Sequence, residues 1–235
     1  MSLIKRSQPR EINFTKGINP YAEGSIIAEF GNTKAHITAT IEEKVPGWMK
    51  GTGKGWVTAE YSMLPRATHD RVRRERKSVG GRTQEIQRLI GRSLRAVVDM
   101  KKLGERQVVL DCDVLVADGG TRTTSISGAF VALEMAIQGL LDKKLITESP
   151  IKERMGALSV GIDRDGKIIA DLNYEEDSTC EADVNIVMTE SGKFIEVQGT
   201  AEGEPFSREQ LDAVLECGKT ALESVFVKQK TALDS

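Results

Sequence analysis

A glycine-rich segment at residues 118–125, DGGTRTTS, joins a predicted strand to a predicted helix and has the residue types of an anion site. Two adjacent glycines, the second being Gly120, let the backbone approach an anion closely, and the hydroxyl of Thr121 adds a donor. Arg122 adds a planar, permanently charged fork. The segment therefore predicts a phosphate site at a helix N-terminus. A plain glycine turn with Ser/Thr capping is the alternative.

A second set of arginines lies at the start of another predicted helix and along it. Arg82 comes just before the helix predicted from Thr83, beside the positive end of its dipole, where a guanidinium is placed to hold an oxyanion. Arg88, Arg92 and Arg95 fall on one side of the helical wheel, because each residue turns the helix by ~100°. An ordinary solvent-exposed face, screened by nearby carboxylates, is the alternative for this ridge.

Five carboxylates lie between Glu175 and Asp183, in the stretch EEDSTCEAD. They repel one another unless a cation or arginines lie among them, and hard oxygen ligands of this kind suit Mg²⁺ or Mn²⁺. In one straight strand Asp177 and Asp183 would be ~20 Å apart. A shared metal site therefore requires Asp177 to lie on a turn that folds back toward the strand of Asp183. An acidic surface loop is the alternative.

Residues 66–82, the basic segment, concentrate positive charge in a chain whose net charge is −2. Phosphodiester backbones are the usual target of such a concentration, since each neutralised phosphate releases counterions. A solvated charged loop or a salt-bridge patch at a subunit contact is the alternative. The candidate nucleic-acid contacts are Arg66, Arg71, Arg73, Arg74 and Arg76.

Phosphate, a phosphodiester and a metal together indicate phosphorolysis. In that reaction inorganic phosphate attacks a terminal phosphodiester and releases a nucleoside diphosphate, while metal and arginine stabilise the charge of the transition state. The two histidines, His36 and His69, have no Ser or Cys partner in a recognisable motif. A Ser-His-Asp hydrolase therefore has little support.

The elements that must position these segments follow from the hydrophobic periodicity. Three hairpins are predicted, Gly24–Phe30 with 34–41, 157–163 with 167–172, and Ala182–Thr189 with 193–198. Single strands are predicted at 56–64 and Gln107–Val116, with an exposed mobile loop at 65–81. Helices are predicted from Thr83 to Leu103, over 125–141, and after a capping box between Ser207 and Gln210. The pattern is α+β, with helices covering one side of the strands.

The composition limits the class of protein. Lys and Arg total 33 against 35 for Asp and Glu, which excludes a uniformly basic nucleic-acid binder. The three cysteines have neither zinc-site spacing nor the even count of a disulfide framework, which favours a reducing compartment. The opening residues lack a signal-peptide stretch and no window approaches ~18 apolar residues, so we expect a cytoplasmic protein with no membrane partner.

Six stretches of the chain resemble the ribonuclease PH family of phosphate-dependent 3′ exoribonucleases. They are YAEGSIIAEFGNTK, GTGKGWVTAEYSMLPRATH, GGRTQEIQRLIGRSLRAVVD, DCDVLVADGGTRTTSISGAFVAL, PIKERMGALSVGI and DLNYEEDSTCEADVNIVMTESGKFIEVQGTAEGEPFSREQLDAVL. They run from about Arg10 to the final helix, and together they are far more specific than any single short motif. The resemblance implies one domain over residues 1–235, with the fold of ribosomal protein S5 domain 2.

The resemblance also implies roles for individual residues. Arg82, Gly120, Thr121 and Arg122 match the phosphate site of the family. Asp177, Asp183 and Arg92 match its catalytic positions. The two aspartates also match its metal ligands. The arginines of the basic segment match the region that receives the tRNA acceptor stem.

The activity implied is that of a phosphorolytic 3′-to-5′ exoribonuclease, or tRNA nucleotidyltransferase. It would trim the 3′ end of precursor tRNA with inorganic phosphate and Mg²⁺ or Mn²⁺, and take part in ribosomal RNA degradation. The family assembles as a homohexamer, a trimer of dimers. A non-catalytic ring subunit that only binds RNA is the alternative. A small-molecule kinase is a distant third, because the chain has no evident ATP-binding loop.

Overall fold

The computed structural model describes residues 3–75 and 77–234, and its strands form two five-stranded sheets. The first sheet contains β2 (Ile12–Lys16), β3 (Gly24–Phe30), β4 (Thr33–Glu42), β5 (Trp56–Met63) and β6 (Gln107–Val116), in the order β2-β3-β4-β6-β5. The second contains β1 (Ile4–Arg6), β7 (Met155–Ile162), β8 (Ile168–Ala170), β9 (Ala182–Thr189) and β10 (Phe194–Ala201), in the order β1-β8-β7-β9-β10.

Five α-helices complete the part of the chain described. They are α1 (Gly81–Ala96), α2 (Met100–Leu103), α3 (Thr121–Asp142), α4 (Tyr174–Thr179) and α5 (Arg208–Asp234). A single 3₁₀ turn, Gly47–Met49, lies between β4 and β5. Both sheets with their helices give the mixed α+β fold that the sequence predicts.

Alternation of apolar and polar residues forms the strands and decides which face is buried. In β6, Val108, Leu110, Cys112 and Val114 are buried, whereas Val116 at its end is exposed. The three predicted hairpins form as antiparallel pairs, β3 with β4, β7 with β8, and β9 with β10. Parallel pairing joins β5 to β6 and β1 to β8.

The apolar helix α3 lies between the two sheets. It packs on β3 and β4 of the first sheet and on β7 of the second. The Ser127 hydroxyl accepts a hydrogen bond from the Ala157 amide at 2.9 Å and donates to the Ala157 carbonyl at 3.0 Å, which fixes α3 against β7. Helix α1 covers β5, and α5 covers β7 and β8. The buried apolar residues form two clusters, and each cluster contains residues of both sheets.

By length and composition α3 could also cross a membrane, a property that the sequence analysis did not recognise. Of its most apolar window, 72% is buried inside the protein. Its hydrophobicity is therefore that of a core helix packed on both sides.

Several predicted boundaries are wrong. Helix α1 begins at Gly81 and ends at Ala96 rather than at Leu103, because the chain leaves the helix where Val98 pairs with Ile151. The Asp99 carboxylate then accepts hydrogen bonds from two backbone amides and starts α2 as a separate helix. Helix α3 begins at Thr121, four residues before the predicted start. Strands β1 and β2 and helix α4 were not predicted.

Two glycines of α3 provide a matched test of its packing. A Cβ on Gly128 would lie 2.7 Å from the Ala28 Cβ and closer still to Ile37, whereas a Cβ on Gly139 would meet nothing within 4 Å. Gly139→Ala should stabilise the protein by up to about 1 kcal/mol through helix propensity. Gly128→Ala gains the same propensity but should destabilise it by about 1–3 kcal/mol through overpacking. Urea denaturation measures both, and equal effects would contradict the close approach of α3 to β3.

Candidate active site

The turn between β6 and α3, residues 118–120, is the glycine loop of the candidate site. Gly119 and Gly120 have φ angles of 75° and 63°, a backbone region that favours glycine. A Cβ on Gly119 would clash with the Leu172 carbonyl oxygen and lie 2.6 Å from the carbonyl carbon of Asn173. Glycine is therefore required here, because the loop packs directly on the backbone that leads into α4.

Two helices begin at the candidate site without a cap. Gly80 precedes α1 and Gly120 precedes α3; within the described chain neither receives a side-chain cap, and neither first turn contains an acidic residue. The first N–H groups of such helices are free for an anion, and the positive ends of the dipoles favour one. Arg82 is the second residue of α1, and Arg122 is the second residue of α3.

The side chain of Arg122 is oriented by neighbours from other elements. Its Nη1 donates to the Gln198 side chain of β10 at 3.0 Å and reaches Glu85 of α1 at 3.5 Å. Gln198 in turn donates to Glu85 at 2.8 Å. Only 16% of the Arg122 side chain is exposed. The guanidinium is therefore held in place before any ligand binds.

Tyr61 of β5 contacts the start of α3. Its hydroxyl donates to the Thr121 hydroxyl oxygen at 3.0 Å. Burial raises the pKa of Tyr61, and the positive charges of Arg82 and Arg122 oppose that rise. Both guanidinium groups therefore lie within electrostatic reach of one hydroxyl, although they come from different helices. We call Arg82 and Arg122 the arginine pair.

The acidic pair, Asp177 and Asp183, lies on two elements next to each other in the chain. Asp177 is in the first turn of α4, which Asn173 and Glu176 cap reciprocally, and Asp183 is in β9. The fold-back that a shared site requires is thus made by a short helix and the residues after it.

The acidic pair and the arginine pair share one electrostatic environment. Burial and repulsion by Asp183 raise the pKa of Asp177. Burial also raises the pKa of Asp183, and Glu202 adds to that rise. The arginine pair opposes both shifts. The four side chains therefore lie within electrostatic reach of one another.

The acidic pair has the donor chemistry of a small oxygen-preferring cation. Across residues 3–75 and 77–234, three or more His, Cys, Asp or Glu side chains are nowhere grouped as a metal cage. Mg²⁺ seldom needs one, since it commonly binds one or two carboxylates and completes its shell with water and phosphate oxygens. The mutual repulsion of the two carboxylates is the charge imbalance that such an ion would relieve.

Arg92 lies farther along α1, ten residues after Arg82. Its Nη1 is 3.6 Å from Glu196 of β10. Both line a groove of about 310 Å³ between α1 and β10, which continues to Glu85 and Gln198, the partners of Arg122. Among the described residues, no hydrogen bond or ion pair joins Arg92 to the acidic pair.

The basic segment extends from the rim of the site as an exposed loop. Its base is fixed by Ala67, which is buried and whose carbonyl accepts a hydrogen bond from the Ala117 amide, next to the glycine loop. Arg66, Arg71, Arg73 and Arg74 are all exposed. Arg76 lies outside the described residues.

The sequence analysis missed residues that complete this site. Gln198 orients Arg122, Tyr61 contacts Thr121, and Glu202 faces the acidic pair. Gln198 and Glu202 gave no local signal, because a polar residue in or after an edge strand is ordinary. Tyr61 was predicted only as part of a strand, and its hydroxyl contact depends on the approach of α3.

The chain matches both domains of a known family. The 3′ exoribonuclease family, domain 1, matches residues 8–137, and domain 2 of the same family matches residues 154–221. One domain over residues 1–235 stays a prediction.

Several solved structures share the fold. Rice (Oryza sativa) Rrp46 is 17% identical over 97% of both chains, with a TM-score of 0.79. A chain of the Archaeoglobus fulgidus exosome with RNA bound to the active site is 18% identical, over 94% of this chain and 89% of that chain, with a TM-score of 0.78. A chain of an archaeal exosome core is 17% identical, over 95% and 88%, with a TM-score of 0.74.

The raised pKa values of the acidic pair predict a pH-dependent stability effect in metal-free protein. A carboxyl whose pKa is raised by folding destabilises the fold once ionised, and this penalty is absent below the ordinary value of 3.8. Asp183→Asn should therefore raise the thermal unfolding midpoint by a few degrees at neutral pH, and the gain should vanish as the pH falls toward 3.8.

Thermal scans with a chelator across this pH range measure the effect. Asp165→Asn, at an exposed turn position between β7 and β8, is the control and should show no such trend. A loss of stability in Asp183→Asn at neutral pH would show that the carboxylate is stabilised by its neighbours instead.

Proposed function

Since the chain belongs to the 3′ exoribonuclease family, we propose that it is a phosphorolytic 3′-to-5′ exoribonuclease that trims the 3′ end of precursor tRNA. The observation that carries this proposal is that the arginine pair lies within electrostatic reach of the acidic pair, beside two uncapped helix starts. Cationic forks and helix N-termini bind a free phosphate. Two neighbouring carboxylates provide the oxygen ligands that suit a divalent cation.

In the proposed reaction, orthophosphate binds between Arg82 and Arg122, with the backbone amide of Thr121 as a further donor. A phosphate oxygen forms a bond to the terminal phosphorus of the RNA, and the bond from that phosphorus to the 3′ oxygen of the preceding ribose breaks. The leaving oxygen takes up a proton. The products are a nucleoside diphosphate and an RNA shorter by one nucleotide, and the reverse reaction is nucleotidyl transfer to the RNA end.

Asp177 and Asp183 would hold a Mg²⁺ or Mn²⁺ ion, which supplies electrostatic stabilisation to the reacting phosphate oxygens when bound. The two carboxylates themselves keep that ion next to the arginine pair. Without a cation they would repel both inorganic phosphate and the RNA backbone. We therefore expect activity to require a divalent metal.

We assign RNA binding to the arginines of the basic segment, Arg66, Arg71, Arg73, Arg74 and Arg76, and a catalytic role to Arg92 in the groove between α1 and β10. The base of the basic segment lies next to the glycine loop, so that an RNA bound there can reach the acidic pair with its 3′ end. A cytoplasmic homohexamer, a trimer of dimers, would collect several such segments around one RNA, and ribosomal RNA would be a second substrate.

Product identity tests this function directly. A tRNA transcript with extra 3′ nucleotides should release nucleoside diphosphates, and only when both inorganic phosphate and Mg²⁺ are present. Chromatography of the released nucleotides distinguishes the outcomes. Monophosphates released without phosphate would identify a hydrolase. No release, with RNA binding retained, would favour a non-catalytic ring subunit.

Kinetics should separate the phosphate site from the RNA site. Arg122→Lys keeps the charge but loses the fork, and should raise the KM for phosphate about tenfold or more while RNA binding persists. Replacing Arg71, Arg73 and Arg74 together by Ser should weaken RNA binding and flatten its salt dependence, with the KM for phosphate unchanged. Arg208→Ser, on the exposed face of α5, is the control. The reverse pattern would exchange the two assignments.

A further inference from the structure

The N-terminal segment contacts both halves of the candidate site. Strand β1 pairs with β8 at the edge of the second sheet, and the chain then crosses toward the glycine loop. Two arginines of this segment make bidentate ion pairs. Arg6 pairs with Glu176 of α4, and Arg10 pairs with Asp171 just before α4. The family resemblance assigns neither arginine a role.

Arg10 joins Asp171 to the glycine loop. Its Nε and Nη2 each donate to one carboxylate oxygen of Asp171 at 2.8 Å, and its backbone amide donates to the same carboxylate at 3.0 Å. Its remaining Nη1 donates to the carbonyl of Asp118 at 2.6 Å. One guanidinium therefore links the residue before α4 to the residue before the two glycines.

The Arg10–Asp171 pair is deeply buried. The side chain of Asp171 is 0% exposed and that of Arg10 is 12% exposed. Asp171 also has a φ angle of 53°, a region that residues other than glycine rarely occupy. A buried charge and an unfavourable backbone persist together only where the surroundings hold them firmly.

Asp118 extends the connection to a third element. Its two carboxylate oxygens accept hydrogen bonds from the Tyr174 amide of α4 at 3.1 Å and from the Asn32 side chain at 3.0 Å. Arg6 donates from Nη1 and Nη2 to the two carboxylate oxygens of Glu176, which caps α4, and both distances are 2.8 Å. The start of α4 and the glycine loop are thus tied to each other and to one N-terminal segment.

We propose that Arg10 and Asp171 are positioning residues that set the glycine loop against α4, and hence the phosphate donors against the acidic pair. This inference rests on the proposed function, because it takes the glycine loop as the phosphate site. Arg6 holds α4, and with it Asp177, through the Glu176 carboxylate. It also donates to the backbone carbonyls of Ala170 and Asp171, but it contacts neither the Asp171 carboxylate nor the glycine loop. The two arginines should therefore affect different steps.

Four variants of the N-terminal segment test this. Arg10→Met should weaken phosphate binding about tenfold or more, because the loop loses its anchor. Arg10→Lys, whose single ammonium can pair with Asp171 but cannot also reproduce the separate Nη1 contact with the Asp118 carbonyl, should lie between Arg10→Met and the unaltered protein. Arg6→Met should leave phosphate binding within about twofold and lower kcat instead. Lys5→Met, which breaks the neighbouring ion pair with Asp163, is the matched control and should change neither.

Isothermal titration with inorganic phosphate alone measures binding, RNA phosphorolysis gives kcat, and thermal scans report folding. Where Arg10→Met does not fold, Arg10→Lys decides. Unchanged phosphate binding in the folded Arg10 variants, or an equal loss in Lys5→Met, would overturn the proposal. Phosphate binding without diphosphate release by the unaltered protein would refute the proposed function alone, since the titration still compares the Arg10 variants. An unaltered protein that binds no phosphate would overturn both.

Discussion

The packing of the glycine loop against the start of α4 is the constraint on which the candidate site depends. Gly119 lies so close to the backbone of Leu172 and Asn173 that a side chain has no room. The Arg10–Asp171 pair spans this contact, with the guanidinium reaching Asp118 on the other side. The proposed phosphate donors lie at one end of the contact and the acidic pair at the other. Their separation is therefore set by buried backbone rather than by flexible side chains.

The same arrangement places opposite charges in one small region, where burial makes the ionised carboxylates less stable than they are in water. Desolvation raises the pKa of both members of the acidic pair, and the arginine pair only partly offsets this. On the proposed function, an anion bound by the arginine pair and a cation bound by the acidic pair would offset this cost. Groups that perturb one another's pKa in this way are frequent at active sites.

Helix α3 contributes residues both to the hydrophobic core and to the candidate site. Its body is buried between the two sheets, and its N-terminus presents Thr121 and Arg122 without a cap. Because packing on β3, β4 and β7 fixes the axis of the helix, it also fixes the direction in which its first N–H groups point. The hydroxyl of Tyr61 on β5 adds a contact from the first sheet. The packing of the core therefore fixes the positions of the groups that α3 contributes to the candidate site.

Local patterns in the sequence determined the elements and the residue types of the site. Alternation identified the three hairpins, and apolar spacing identified α1, α3 and α5. Glycines beside arginines predicted the anion segment. Boundaries were less accurate where a contact distant in sequence decides them, as where Val98 pairs with Ile151 and ends α1. The short strands β1 and β2 carry too few residues for a pattern, and pairing with β8 and β3 forms them.

The assembly of the site was decided by tertiary structure alone. The spacing of Asp177 and Asp183 required a fold-back but did not say that α4 makes it. The sequence offered no sign that Gln198 orients Arg122, or that Arg10 pairs with Asp171 across 161 positions of the chain. Periodicity and turn chemistry act between near neighbours, whereas a buried ion pair forms only when packing brings distant segments together and excludes water from between them.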